Sequence, residues 1–138
     1  MEKNLKEMFL TSKDLRVGNY INYECTTHVV SEIHSEKIIH YWINSGHDGY
    51  VTSYKQILSI PITIEEVIKF GFHEDTSGVY TNEDGYAIVD DGEFFWLCRI
   101  SRKNKIKDPN KLEYIATFDF VHELQNLYFH VTKKELKY

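Results

Sequence analysis

Apolar residues recur along the chain at spacings of two, in short runs closed by turn-forming residues, which is the pattern of half-buried strands. After a turn predicted at Thr11-Ser12-Lys13-Asp14-Leu15 ahead of Gly18, Tyr20, Ile21 and Tyr23 mark a strand over 19–24. The β-branched stretch 27–33 and the segment 37–43 mark two more. With Ser35-Glu36 as a two-residue turn, Ile33 is expected to oppose Ile38, Ser31 to oppose His40 and Val29 to oppose Trp42, all on one face, with Ile39, Tyr41 and Ile43 on the other. A ribbon apolar on both faces has to be covered twice, by curling up or by packing against another layer or another copy. Strand candidates at 50–53 and 56–60 follow a turn at Gly46-His47-Asp48-Gly49, and Pro61 ends the ladder. Five strand candidates within residues 1–60 predict an SH3-like small β-barrel or a meander.

The pattern then changes. Thr63-Ile64-Glu65-Glu66 has capping-box spacing, so a short helix is predicted from Thr63, with Ile64, Val67, Ile68 and Phe70 buried and Gly71 as its stop. Strand alternation resumes over 72–118. Asp91-Gly92 predicts a two-residue type I′ hairpin, with Asp90 opposite Glu93, Val89 opposite Phe94, Ile88 opposite Phe95 and Ala87 opposite Trp96. The segment 94–98 reads as a central strand and 111–118 as its neighbour. A last helix is predicted over 120–131, capped by Asp119, with Phe120, Val121, Leu124, Leu127, Tyr128 and Val131 at helical spacing. Thr132-Lys133-Lys134-Glu135 repeats the capping-box spacing and predicts a terminal turn anchored by Leu136. The expected fold class is α+β: an N-terminal SH3-like barrel or meander, then an antiparallel sheet packed with short helices. Its expected division is a β-rich subdomain over 1–60 and an α+β subdomain over 61–138, together one compact unit.

Length and charge narrow the function classes. The 138 residues suffice for a two-layer core. Sixteen Lys+Arg against 21 Asp+Glu leave a net charge of −5, which argues against general nucleic-acid binding, a property that rests on an excess of phosphate-neutralising cations. No apolar run approaches the ~20 residues that cross a bilayer. Met1-Glu2-Lys3-Asn4-Leu5-Lys6-Glu7 lacks the apolar core of a signal peptide, so no membrane partner and a cytoplasmic location are expected. Cys25 and Cys98 form no CxxC and sit in strand-like contexts, as reduced structural thiols do.

Candidate chemistry is sparse. The seven histidines, His28, His34, His40, His47, His73, His122 and His130, form no HxH, HExxH or Cys-His pattern, so no metal is assigned and they read as surface or partly buried imidazoles. Glu83, Asp84, Asp90 and Asp91 are better explained as turn residues than as an acid-base or cation site. No GxSxG, P-loop or GxGxxG is present, and neither a catalytic residue nor a cofactor is assigned. The densest charge feature is Arg99, Arg102, Lys103, Lys105, Lys107 and Lys111. A solvated loop with gatekeeping lysines accounts for it. Beside Tyr41, Trp42 or Trp96, however, the cluster would make a stacking platform flanked by phosphate-binding cations.

Three groups of residues carry a resemblance. Asp14-Leu15-Arg16-Val17-Gly18-Asn19-Tyr20-Ile21 is the first, and Ile60-Pro61-Ile62-Thr63 with Lys69-Phe70-Gly71-Phe72 is the second. The third is Val121-His122-Glu123-Leu124-Gln125-Asn126-Leu127-Tyr128-Phe129 with Thr132 and Glu135-Leu136-Lys137. Together they resemble a family of small proteins of phages and prophages of gut anaerobes. The resemblance transfers no catalytic residue. It implies a setting, the cytoplasm of a bacterial host, and a counter-defence role, either sequestering a nucleotide immune signal or covering a host protein. The leading expectation is therefore a non-enzymatic binding protein. It would hold a nucleotide-derived signal with Arg99, Arg102, Lys103, Lys105, Tyr41, Trp42 and Trp96 at a homo-oligomer interface. The alternative is a protein-protein adaptor or inhibitor that docks through strand edges or an aromatic patch. A hydrolase without a recognisable motif ranks last.

Overall fold

The computed structural model describes residues 9–43, 49–101 and 111–138. Along the chain run β1 (Tyr20–Tyr23), β2 (Thr26–Ile33), β3 (Lys37–Trp42), β4 (Gly49–Ser53), a 3-10 helix (Tyr54–Gln56) and α1 (Ile64–Lys69). They are followed by β5 (His73–Thr76), β6 (Val79–Thr81), β7 (Tyr86–Asp90), β8 (Phe95–Ile100), β9 (Leu112–Phe118) and α2 (Val121–Thr132). The strands form two antiparallel meanders, β1-β2-β3-β4 and β5-β6-β7-β8-β9, so the fold is mainly β in an α+β arrangement. The described strands of the first sheet do not close into a barrel. Packing groups the chain into two compact units. One holds Ile62–Asp119 and Leu136–Tyr138; the other holds the described chain from Phe9 to Pro61 together with Phe120–Glu135, so the C-terminal helix goes with the N-terminal sheet.

In the N-terminal unit Leu10, Leu15, Ile21, Val30, Ile38 and Ile57 form the core, with Tyr23, Ile33 and Tyr54 packed against it. Glu24 and Cys25 make the β1-β2 turn, both left-handed at φ 49° and 63°, so Cys25 is an exposed turn residue rather than a strand residue. Ile33 opposes Ile38 as expected, but a bulge between Val30 and Glu32 shifts the rest of the register by one. Val30 then opposes His40, Val29 opposes Tyr41 and His28 opposes Trp42, in place of the expected Ser31-His40 and Val29-Trp42 pairs. The extra residue, Ser31, donates its hydroxyl to the Ile39 carbonyl at 3.0 Å. The strand expected over 56–60 is replaced by the 3-10 helix and by isolated bridges of Leu58 to Phe9 and to Asn22, the latter with backbone hydrogen bonds of 2.9 and 3.0 Å. Ser53 caps that short helix by accepting the Lys55 amide, which turns the chain before it can extend as a strand. Most of the turn expected at 46–49 lies outside the described residues.

In the other unit the Thr63 hydroxyl accepts the Glu66 amide, capping α1 as expected. Val67 and Phe70 are buried but Ile68 is exposed, because a helix this short turns a single face inward. The Glu66 carboxylate accepts the Tyr138 hydroxyl, and Lys69 and Phe70 pack on the Tyr138 ring at 5.0 and 4.8 Å. The β7-β8 loop is longer than a two-residue turn. Asp91 Oδ1 accepts the Glu93 and Phe94 amides at 2.9 and 2.7 Å, and its backbone N–H donates to the Phe94 carbonyl. This pushes Phe94 out of the ladder and slides the register by two residues: Asp90 opposes Phe95, Val89 opposes Trp96, Ile88 opposes Leu97 and Ala87 opposes Cys98. A slide of two preserves every face. One face therefore carries Val79, Ala87, Val89, Cys98 and Leu112, with Trp96 and Ile100 against them.

α2 begins one residue later than expected. Phe120 is its N-cap residue, with its amide donating to Glu123 Oε1 at 3.1 Å, while the Asp119 carbonyl is spent on the Ile62 amide. The helix ends at Lys133 in the left-handed conformation, φ 63°, and the chain beyond forms no helical turn, although Leu136 is buried.

Candidate functional site

Of the residues expected to form one ligand site, Trp96 and Arg99 lie in one compact unit and Tyr41 and Trp42 in the other. Trp96 and Arg99 share β8 but point to opposite faces, since Trp96 aligns with Cys98 while Arg99 opposes Tyr86 and Glu113. The Trp96 indole N–H donates to Asp91 Oδ2 at 2.9 Å and its ring meets Tyr114 edge-on at 5.4 Å. That carboxylate would repel a phosphate at the same spot. Arg99 is exposed, 5.9 Å from the Tyr86 ring centre and 3.4 Å from the Glu113 carboxylate. Tyr41 and Trp42 lie on β3 in the other compact unit and, as strand neighbours, on opposite faces of it. Arg102, Lys103 and Lys105, with Lys107, lie outside the described residues.

The resemblance-bearing strings meet across more than one hundred residues of sequence. Gln125, fully buried, accepts the Tyr20 amide at 2.8 Å and donates to the Gly18 carbonyl at 3.2 Å. Asn19 donates its side-chain amide to Asn126 at 2.7 Å, and Asn126 donates to the Asp14 carbonyl at 3.1 Å. Arg16 pairs with both Glu135 oxygens and covers the Phe129 ring at 4.1 Å. These contacts are structural. They splice α2 onto the backbone of β1, and they explain why polar residues occupy helix positions that ordinary amphipathic packing would leave to solvent.

A second cluster escaped the sequence reading. The bulge at Ser31 turns His28 to the side of the sheet that carries His40, and the two buried rings meet Nδ1 to Nδ1 at 2.8 Å. His40 Nε2 reaches the Thr52 hydroxyl at 2.7 Å, and His28 Nε2 reaches the Thr26 hydroxyl at 3.0 Å. The Thr26 hydroxyl donates its single hydrogen to the Tyr23 carbonyl at 2.8 Å, so toward His28 it can only accept. His28 therefore carries its proton on Nε2. Its bare Nδ1 accepts from His40 Nδ1–H, and the bare His40 Nε2 accepts from Thr52. One direction of donation runs from β4 to β1, and every nitrogen in it is satisfied. Tyr23 packs edge-on against both rings at 5.2 and 4.8 Å, and Tyr50 stacks on His40 at 5.6 Å. Burial pushes His40 down to about 4, with the His28 ring adding to the effect. Burial also lowers His28, partly opposed by Glu24. No sequence signal announced the pair, because the bulge that aligns it replaces one strand residue by another without a glycine or proline to mark it.

Elsewhere, burial pushes the Cys98 thiol up to about 12, which makes it inert as a nucleophile. Among the described residues no group of three or more His, Cys, Asp or Glu is placed to hold a metal ion, and no helix is long and apolar enough to cross a membrane.

The remaining accessible feature is the edge of the first sheet. Among the described strands β4 pairs only with β3. Its sequence, Gly49-Tyr50-Val51-Thr52-Ser53, contains neither charge nor proline, and Val51 and Tyr50 are 63% and 45% exposed. A groove of about 620 Å³ lies along it, lined by Glu36, Lys37, Val51, Ser53 and Lys55 among others. An apolar groove of about 530 Å³ adjoins it at Tyr54 and Lys55, walled by Phe9 and Leu10. Compared with known proteins, the chain matches no family model, no curated protein and no solved structure at a significant level.

Proposed function

We propose that this chain is a non-catalytic binding protein that docks on a partner protein by adding the partner's extended segment to the outer edge of β4. The observation that carries this reading is the uncharged, proline-free terminal strand beside an open groove. Edges of this kind are normally blunted by lysine, proline or a covering element, because their backbone groups template pairing with another chain. Lys37 and Lys55 in the groove select a segment with an acidic flank, and Val51 selects an apolar residue opposite it. In the phage-borne setting implied by the resemblance, the partner is a protein of the host cytoplasm. The same reading takes the N-terminal unit as an SH3-like partial barrel, supported by the return of Leu58 to β1 after the 3-10 helix.

Selection from a displayed library of random decapeptides tests it. Binders with alternating β-branched residues and an acidic flank are expected, with affinity falling about tenfold or more in Val51→Lys while its unfolding free energy stays within about 0.5 kcal/mol of the parent. Binders that ignore Val51→Lys would sink the edge-docking reading.

Sequestration of a nucleotide signal is the second reading. It is supported by the exposed Arg99 near the end of β8, where the sequence runs on into the cationic stretch 102–111. Its test is thermal stabilisation by cyclic or ADP-ribose-type nucleotides at concentrations well above their dissociation constants. Absence of any shift eliminates it, and recovery of intact ligand after denaturation separates storage from hydrolysis.

A further inference from the structure

We propose that the His28-His40 pair is an acid-operated latch on β4: while both rings are neutral they tie this edge strand into the sheet, and protonation releases it. β4 is attached by its ladder to β3 and by two side chains, Thr52 on His40 Nε2 and Tyr50 stacked on the His40 ring. The run of donation leaves two bare nitrogens, His28 Nδ1 and His40 Nε2, and both are already accepting hydrogen bonds. A solvent proton has nowhere else in the pair to go.

A proton on His40 Nε2 turns that atom into a donor, toward which Thr52 Oγ1 must change from donor to acceptor and turn its own hydrogen elsewhere. A proton on His28 Nδ1 sets two N–H groups against each other across 2.8 Å and drives the rings apart. Among the described residues the groups facing the pair are uncharged. β1 contributes Ile21 and Tyr23, β2 contributes Thr26 and Val30, β3 contributes Ile38, and β4 contributes Tyr50 and Thr52. Among the described residues Glu24, in the β1-β2 turn, is the carboxylate that acts on His28, while the charge acting on His40 is the other imidazole. A buried imidazolium without a counter-anion is costly, so opening to water is the route by which it gains solvation. The element that can open is the one held from a single side, β4.

The latch stands on this geometry alone. Its consequence for docking, that acid removes the template strand, rests on the edge-docking reading above. Amide hydrogen exchange on the free protein therefore tests it without any partner. After correction for intrinsic rates, the β4 amides are expected to lose about tenfold or more of their protection between about pH 7.5 and pH 5, while the β8 amides change by less than about twofold. At neutral pH, nitrogen chemical shifts should assign the proton of His28 to Nε2 and that of His40 to Nδ1. The double variant His40→Leu, Thr52→Val should remove most of the pH dependence of β4 protection. Should that variant fail to fold, the shifts and exchange of the parent protein decide. Unchanged β4 protection in acid overturns the proposal, as do two Nε2–H tautomers. So does increased β4 protection on adding Zn²⁺ or Cu⁺ at neutral pH, since the facing nitrogens would then be gathered for an ion and not for a shared proton.

Discussion

Gln125 shows how one side chain can stand in for a stretch of secondary structure. Its amide satisfies the Tyr20 N–H and the Gly18 carbonyl where no strand is present to do so. Gln125→Leu keeps the size and removes the hydrogen bonds to the buried Tyr20 amide and the half-buried Gly18 carbonyl. The expected loss is about 2–4 kcal/mol, read as a lower midpoint in urea unfolding, with the slope unchanged. Arg16 and Asn19 belong to the same splice, which is why the residues most easily recognised in the sequence are fold determinants and not reactive groups. The histidines show the opposite case. His28 and His40 read as ordinary imidazoles in sequence, yet they form a continuous hydrogen-bonded chain with Thr26 and Thr52. His122 is a third buried imidazole, held neutral by desolvation against the pull of Glu123 and Asp14.

Among the elements, the legible ones were those whose signal is local. α1 was marked by the Thr63 cap and the Gly71 stop, both read from a few adjacent residues. The two hairpin registers depended on side chains reaching back to their own backbone. Asp91 lengthens one loop and Ser31 bulges one strand, and neither choice is forced by hydrophobic pattern. Glycine positions separate backbone conformation from packing. Gly71, at φ 92°, has no atom within 4 Å of where a Cβ would sit, so Gly71→Ala should cost about 1 kcal/mol, the backbone contribution alone. Gly78, at φ 78°, would place a Cβ 3.0 Å from the Asp90 carbonyl oxygen, so Gly78→Ala should cost about 2 kcal/mol or more. Thermal unfolding of the two variants should rank them in that order, and equal midpoints would contradict the contact.

For the molecule as a whole, the depressed imidazoles set the direction of its pH dependence. His40 falls from 6.5 in the unfolded chain to about 4 in the fold, so below pH 6.5 the unfolded state binds the extra proton. Stability is therefore full above pH 6.5 and is lost as the pH falls toward 4, by about 3 kcal/mol from this group in total. Urea midpoints between about pH 7.5 and pH 4 should track this loss, and most of it should vanish in His40→Leu, Thr52→Val. Most strand positions, the cap and stop of α1 and the two-faced apolar pattern of both hairpins were legible in the sequence alone, because spacing, caps and breakers act within a few residues. Only the tertiary structure decided that α2 joins the N-terminal sheet and that Gln125 meets Gly18 and Tyr20. It also decided that Trp96 turns away from Arg99, and that a one-residue bulge brings His28 to His40. Those outcomes depend on register and on contacts between distant segments, and a change of one residue in register sends a side chain to the other face of its sheet.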